Sequence, residues 1–267
     1  MTRIAALVSK EFADLRHNPG VFLPALLTAA ISIVLPFFVA VIVPAWTGER
    51  LSDSSDFQVA LEIYRSQPEA RTLSPEAAVQ AWLFQQFLPL LVLAPVAASM
   101  SVAAYTVIGE KQARTLEPLL ATPITTFELL SAKVLGALVP AIALTVASFI
   151  IYGAGIALFA SSGAVRVLFA PRSLGMVFLL GPLAALAALQ LAVCVSSRVN
   201  DARSAQQIGA LIILPLAGLL VAQLTGTVAV TGRLIGIFTI VLATVNIILM
   251  RIGVALFDRE SILTRWQ

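Results

Sequence analysis

Five long stretches of this chain contain no Asp, Glu, Lys or Arg: residues 21–45, 81–108, 134–160, 173–195 and 207–230. A sixth, 234–257, is interrupted only by Arg251 near one end. A helix needs about 20 mostly apolar residues to cross roughly 30 Å of hydrocarbon. Each stretch is long enough. A membrane barrel would instead show alternating segments of about 10 residues. Inside lipid every backbone polar group must be satisfied, and a lone apolar segment does this only as a helix. The pattern predicts an all-α membrane protein with six transmembrane helices, forming a single transmembrane domain over residues 1–267.

Composition agrees. Apolar types make up 59% of the 267 residues and charged types 12%, with a mean hydropathy of +0.97. Soluble domains carry about 25% charged residues. A soluble enzyme, a disordered chain and a free nucleic-acid binder are all excluded. The single cysteine, Cys194, lies in an apolar run and has no intrachain partner for a disulfide. The first apolar run is too long for a cleaved signal peptide, and mixed charge precedes it.

The positive charges set an expected orientation. With both termini in the cytosol, eleven of the seventeen Lys and Arg residues fall inside and six outside, and every Lys is inside. That is the bias of cytosolic loops. The longest outer loop, 46–80, then carries six acids. Ser55 with Gln58 predicts a capping box for a helix through Tyr64. Ser74 before Pro75 reads as the N-cap and first position of the second span. Residues 1–19 differ from the spans. Ile4, Leu7, Val8, Phe12 and Leu15 recur at helical spacing, with Arg3, Lys10, Asp14 and Arg16 elsewhere. This predicts an amphipathic helix in the cytosolic interface.

The chemistry missing from the spans is informative. None contains an Asp or Glu, whereas ion-driven carriers place charged groups at mid-membrane. The one histidine, His17, lies outside the spans, so a Ser–His pair or His-based metal site within them is excluded. No phosphate loop of the G-x-x-x-x-G-K-[ST] type occurs. No catalytic residue and no metal ligand is assigned. Uphill movement by this chain therefore needs energy from a partner.

The polar residues within the spans are Gln85, Gln86, Gln190, Gln223 and Asn246, with scattered Ser and Thr. Singly, each is best explained as an interhelical hydrogen bond, worth about 1 kcal/mol in a membrane. Gln85 and Gln86, with the hinge-forming Pro89 and Pro95 of the same span, are the best candidates for a translocation path. Gly218, Ala222 and Gly226 suggest a close helix contact. Arg251 lies within reach of the cytosolic headgroups and reads as an anchor.

The inner loop 109–133, between the second and third spans, is the densest polar segment on the cytosolic side. Thr115 ahead of Leu116, Glu117 and Pro118 marks one helix start. Thr125 with Glu128 marks another, as a capping box. Leu116, Leu119 and Leu120 would give the first short helix an apolar face. The sequence Glu110-Lys111-x-x-Arg114-Thr115-Leu116-Glu117-x-Leu119-Leu120-x-Thr122-Pro123, followed by Glu128-Leu129-Leu130-x-x-Lys133, resembles the segment after the second span in type-2 ATP-binding-cassette (ABC) exporter permeases. Arg114 stands where that pattern has Gly. The second inner loop, around Ser196–Gln207, and the tail, Ala255–Glu260, are also similar to that family.

The resemblance implies a mechanism. Such permeases pair as homo- or heterodimers above two cytosolic ABC ATPase subunits, which bind ATP and Mg, so no cofactor is expected in this chain. A short coupling helix in the 109–133 loop seats in a groove of the ATPase. By position, Glu110, Lys111, Arg114, Thr115, Leu116, Glu117, Leu119, Leu120 and Pro123 would form that contact, with leucines for the groove and charges at its rim. The substrate path would lie between protomers, lined largely by the second and fifth spans. An uncharged path suits drugs, peptides or lipids, and the resemblance also admits sodium. Composition suits a prokaryotic inner membrane. A non-transporting membrane scaffold would use the same spans without a nucleotide cycle.

Overall fold

The computed structural model describes residues 3–17, 19–65, 72–112, 125–196, 207, 211, 213–224 and 231–256. Among these every regular element is a helix. Helix α1 covers Arg3–His17. Helix α2, Pro19–Thr47, is a span built from a 3-10 turn, an α-helix over Leu23–Phe37, a π turn over Phe38–Ile42 and a last α turn. Helix α3 is Ser55–Arg65. Helices α4, Pro75–Gln86, and α5, Leu88–Gln112, form one membrane-length unit broken at Phe87. Helix α6 is Thr126–Phe159. Helix α7, Pro171–Val195, contains a π turn at Met176–Leu180. Helix α8 is Ile213–Leu224 and α9 is Gly232–Leu256.

Five of the described helical units are long and apolar enough to cross a membrane. The expected span 207–230 contains α8, twelve residues long, and residues on both sides of it lie outside the described set. The chain is thus a multi-pass all-α membrane protein.

The α4–α5 unit occupies the middle of the fold. Its apolar window is 83% buried, against 11% for α9. It packs on α7, α6 and α2. A helix that is apolar all round belongs in the interior, and α5 has that character. By contrast, α2, α6 and α9 present apolar side chains outward, as at Ile31, Ile150 and Ile240. In lipid that exposure carries no penalty.

Prolines shape the spans in a recurring way. Each π turn is followed by one residue and then a proline: Val43 before Pro44, and Gly181 before Pro182. Val43 N donates to Phe38 O, and Gly181 N to Met176 O, five residues back. A proline ring collides with the carbonyl four residues earlier. The wider π turn moves that carbonyl aside, which explains why these π turns sit here. The break at Phe87 similarly precedes Pro89.

Near the end of the fold that carries residues 46–80, Phe37 of α2, Phe84 of α4 and Tyr152 of α6 pack together. Their ring centroids lie 5.0–5.8 Å apart. Tyr152 Oη donates to Phe84 O at 2.9 Å, satisfying a carbonyl in the last turn of α4. Gly155 makes room for this trio. A Cβ there would lie 2.6 Å from Phe37 Cζ. Gly218, by contrast, has nothing within 4 Å of where a Cβ would stand, so it makes no close contact with another helix among the described residues. Gly226 lies outside the described residues.

The loop 46–80 is tied to α4. Ser74 caps that helix by accepting from Ala77 N at 3.2 Å, with Pro75 at the first position. Glu76 in the first turn accepts from Ser52 N at 3.0 Å.

Candidate functional site

At the end of the fold that carries α1, two helices converge on the 109–133 loop. Helix α5 runs on through Glu110 and Lys111 to Gln112, and α6 begins at Thr126. Arg114, Thr115, Leu116, Glu117, Leu119, Leu120 and Pro123 lie outside the described residues, as do the side chains of Glu110 and Lys111.

The exit from the loop is built as the sequence predicts. Thr125 is the N-cap of α6, and Glu128 N donates to its Oγ1 at 3.2 Å. Glu128 Oε2 in turn accepts from Thr125 N at 2.9 Å. Both halves of the capping box are present. Such a box fixes where a helix starts and in which direction it leaves the loop. Helix α6 has 34 residues. At 1.5 Å per residue that is about 51 Å, well beyond a core of roughly 30 Å. Its charged first turns, through Lys133, therefore extend out of the hydrocarbon on the loop side.

Helix α1 docks against this extension. Its buried stripe is Leu7, Glu11 and Leu15, at four-residue spacing. Phe12, expected on the apolar face, is partly exposed, and Glu11 takes the inward position. The reason is a partner on α6. Lys133 Nζ donates to Glu11 Oε1 at 3.0 Å, with side-chain exposures of 1% and 5%. A buried charge is tolerated only when paired. Gly136, three residues further along α6, lets the helices approach. A Cβ there would sit 2.8 Å from Glu11 Cβ. Below the pair, Leu15 packs with Leu130 and Ala137 of α6, Val102 of α5 and Leu189 of α7.

The four path candidates lie within the α4–α5 unit. Gln85, Pro89 and Pro95 are buried within the chain, while Gln86 keeps partial exposure. Gln85 belongs to a polar node at the opposite end from α1. Arg172 Nη2 donates to Gln85 Oε1 at 2.6 Å. Gln85 Nε2 lies 3.5 Å from Ser173 Oγ, which donates to Val167 O at 2.7 Å. Gln223 Nε2 lies 3.5 Å from Gln85 O, a carbonyl that Pro89 leaves without its usual helical donor. Gln80 plays the same part for α2. Its Nε2 donates to Ala40 O at 3.2 Å, four residues before Pro44, and its Oε1 accepts from Ser161 N at 2.7 Å. Asn246 Nδ2 donates to Leu183 O at 3.0 Å, joining α9 to α7. Gln80, Gln85, Gln223 and Asn246 thus serve kinks and helix joints, whereas the buried Gln190 leaves its Oε1 without a partner among the described residues.

Sequence reasoning missed Glu11 and Gln80 as buried partners, and Arg172 as the half-buried donor to Gln85. The prolines offered a signal for Gln80, since each proline frees a carbonyl that a nearby amide has reason to find.

None of the curated proteins matches this chain at a significant level. The family model described as ABC-2 family transporter protein matches residues 5–233, nearly the whole chain. With its bundle of apolar spans, the chain belongs to the ABC-2 transporter family and is a membrane permease of an ABC transporter.

Proposed function

We propose that this chain is one protomer of a dimeric ABC exporter in a prokaryotic inner membrane, with both termini in the cytosol. A separate cytosolic ATPase subunit supplies the energy, holding ATP and Mg itself. The 109–133 loop receives that subunit, through Glu110, Lys111, Arg114, Thr115, Leu116, Glu117, Leu119, Leu120 and Pro123. One observation carries the reading: a capped helix of 34 residues rises directly from that loop and is long and apolar enough to cross the membrane. A displacement of the loop is therefore delivered to the far side of the bundle without an intervening joint, apart from the kink site at Pro140. The family supports the remainder, as does the absence of any Asp or Glu from the spans.

Gln85, Gln86 and Pro89 border the break between α4 and α5, and the fourth path candidate, Pro95, lies two turns further along α5. In this reading the break is the hinge of the cycle, and Gln86 is the residue that meets substrate. Apart from Arg172, which bonds Gln85, these residues are uncharged, which favours hydrophobic or amphipathic cargo.

Purification of the tagged chain in mild detergent from its native host tests the proposal. An ATPase carrying a phosphate loop is expected to co-purify in equal ratio. A clean permease without an ATPase, in several detergents, would replace the exporter with a scaffold.

A further inference from the structure

We infer that Glu11 and Lys133 form an ionic latch that makes α1 move with the base of α6 during the nucleotide cycle. They are positioning residues for transport. The inference rests on the reading of the 109–133 loop as the ATPase contact.

Three observations meet at this point. The first is the pair itself, which is buried and direct, with Lys133 Nζ 3.0 Å from Glu11 Oε1. Surface ion pairs hold helices weakly, because water competes for each charge. A buried pair resists separation, since parting it leaves charge in a poor solvent. The second is Gly136. Its missing side chain brings Glu11 Cβ closer than any Cβ there would allow. The two helices are therefore in close contact at Glu11 itself, one turn along α6 from Lys133. The third is the lever. Lys133 lies two turns after Thr126, and about 10 Å of capped helix joins it to the loop. A push on the loop reaches Lys133 through a rigid rod.

A second ion pair on α1, Lys10 with Asp14, lies within the helix, is exposed and is 3.8 Å long. The remaining inward residues of α1, Leu7 and Leu15, make non-directional contacts that allow sliding. The latch converts sliding into shared motion. It also gives the ATPase a second way into the membrane domain. Helix α1 leads at once into α2 at Pro19, so a latched α1 pulls on the first span while α6 moves the third.

The test uses the assembled complex with its ATPase, in proteoliposomes. Cys194 is replaced by Ala, and spin labels are placed on cysteines at Ser9 of α1 and Trp46 at the far end of α2. Both positions are exposed. The spacing is measured without nucleotide and with Mg-ATP and vanadate. The latched parent is expected to show a nucleotide-dependent shift. Glu11→Gln is expected to lose the shift while ATP hydrolysis and membrane level persist. The exchanged pair Glu11→Lys with Lys133→Glu is expected to recover it. Gly136→Ala, which leaves both charges in place, is expected to lose it and serves if Glu11→Gln is poorly inserted. An unchanged shift in Glu11→Gln or Gly136→Ala overturns the latch, as does a parent with active ATPase and no shift. If no ATPase assembles with the parent, the proposed function fails first, and the two failures are told apart.

Discussion

Glu11 and Lys133 meet across 122 positions of sequence, with 3.0 Å between carboxylate and ammonium and almost no exposure of either side chain. The stability consequence is asymmetric. Glu11→Ala strips a buried ammonium of its carboxylate and is expected to cost roughly 3–5 kcal/mol. Replacing both residues, as Glu11→Leu with Lys133→Met, removes both charges and is expected to be close to neutral. Thermal unfolding in detergent measures this. Equal losses for the single and double variants would show that the pair is not the source of the stability.

The same pair marks the limit of what the sequence discloses. A helical reading of residues 3–17 finds the apolar residues and assigns every charge to the solvent side. It has no means of knowing that an ammonium stands over position 11, because Lys133 is supplied by α6. Five of the six expected spans were legible because lipid imposes one requirement on every residue of a segment. The caps at Ser74 and Thr125 were legible because they are local chemistry, complete within four residues. The break at Phe87 was legible from Pro89, but the π turns were not, since a proline shows only that a helix must adjust. The apolar stripe of α1 was half right. Leu7 and Leu15 face inward as expected, whereas Phe12 is exposed and Glu11 is buried.

Gly155 offers a test of packing. Adding a methyl group there brings a carbon to 2.6 Å from the Phe37 ring, which is itself held by Phe84 and Tyr152. Gly155→Ala is expected to destabilise the protein by about 1–3 kcal/mol through overpacking. Phe37→Leu should relieve the clash in the double variant. Additive losses in a double-mutant cycle, measured by thermal unfolding, would count against this account.

Gln80 joins three segments with one side chain, reaching Ala40 O and Ser161 N. Gln80→Leu keeps most of the volume but leaves a buried carbonyl and an N–H without this partner. The expected cost is roughly 1–3 kcal/mol. Hydrogen exchange reads it locally, as faster exchange at Ser161 than in the parent. Unchanged protection there would mean that the bond contributes nothing.

The capping box at the start of α6 is expected to contribute about 1 kcal/mol, so Thr125→Ala should fray the first turn. About 1 kcal/mol corresponds to roughly five-fold faster amide exchange, since 1.4 kcal/mol is tenfold. The effect should be confined to Phe127–Leu129. In the proposed mechanism the same variant weakens the lever between loop and bundle, and it should reduce transport more than it reduces insertion.

The central claim is that the 109–133 loop receives an ATPase. Photo-crosslinking in the native membrane tests it most directly, with a benzophenone amino acid placed at Leu119 and, as a control, at Ser55 in the opposite loop. The account predicts an adduct between the Leu119 variant and a soluble protein carrying a phosphate loop, and no such adduct from Ser55. An ATPase adduct from Ser55, or none from Leu119 while the ATPase is present in the same membranes, would contradict it.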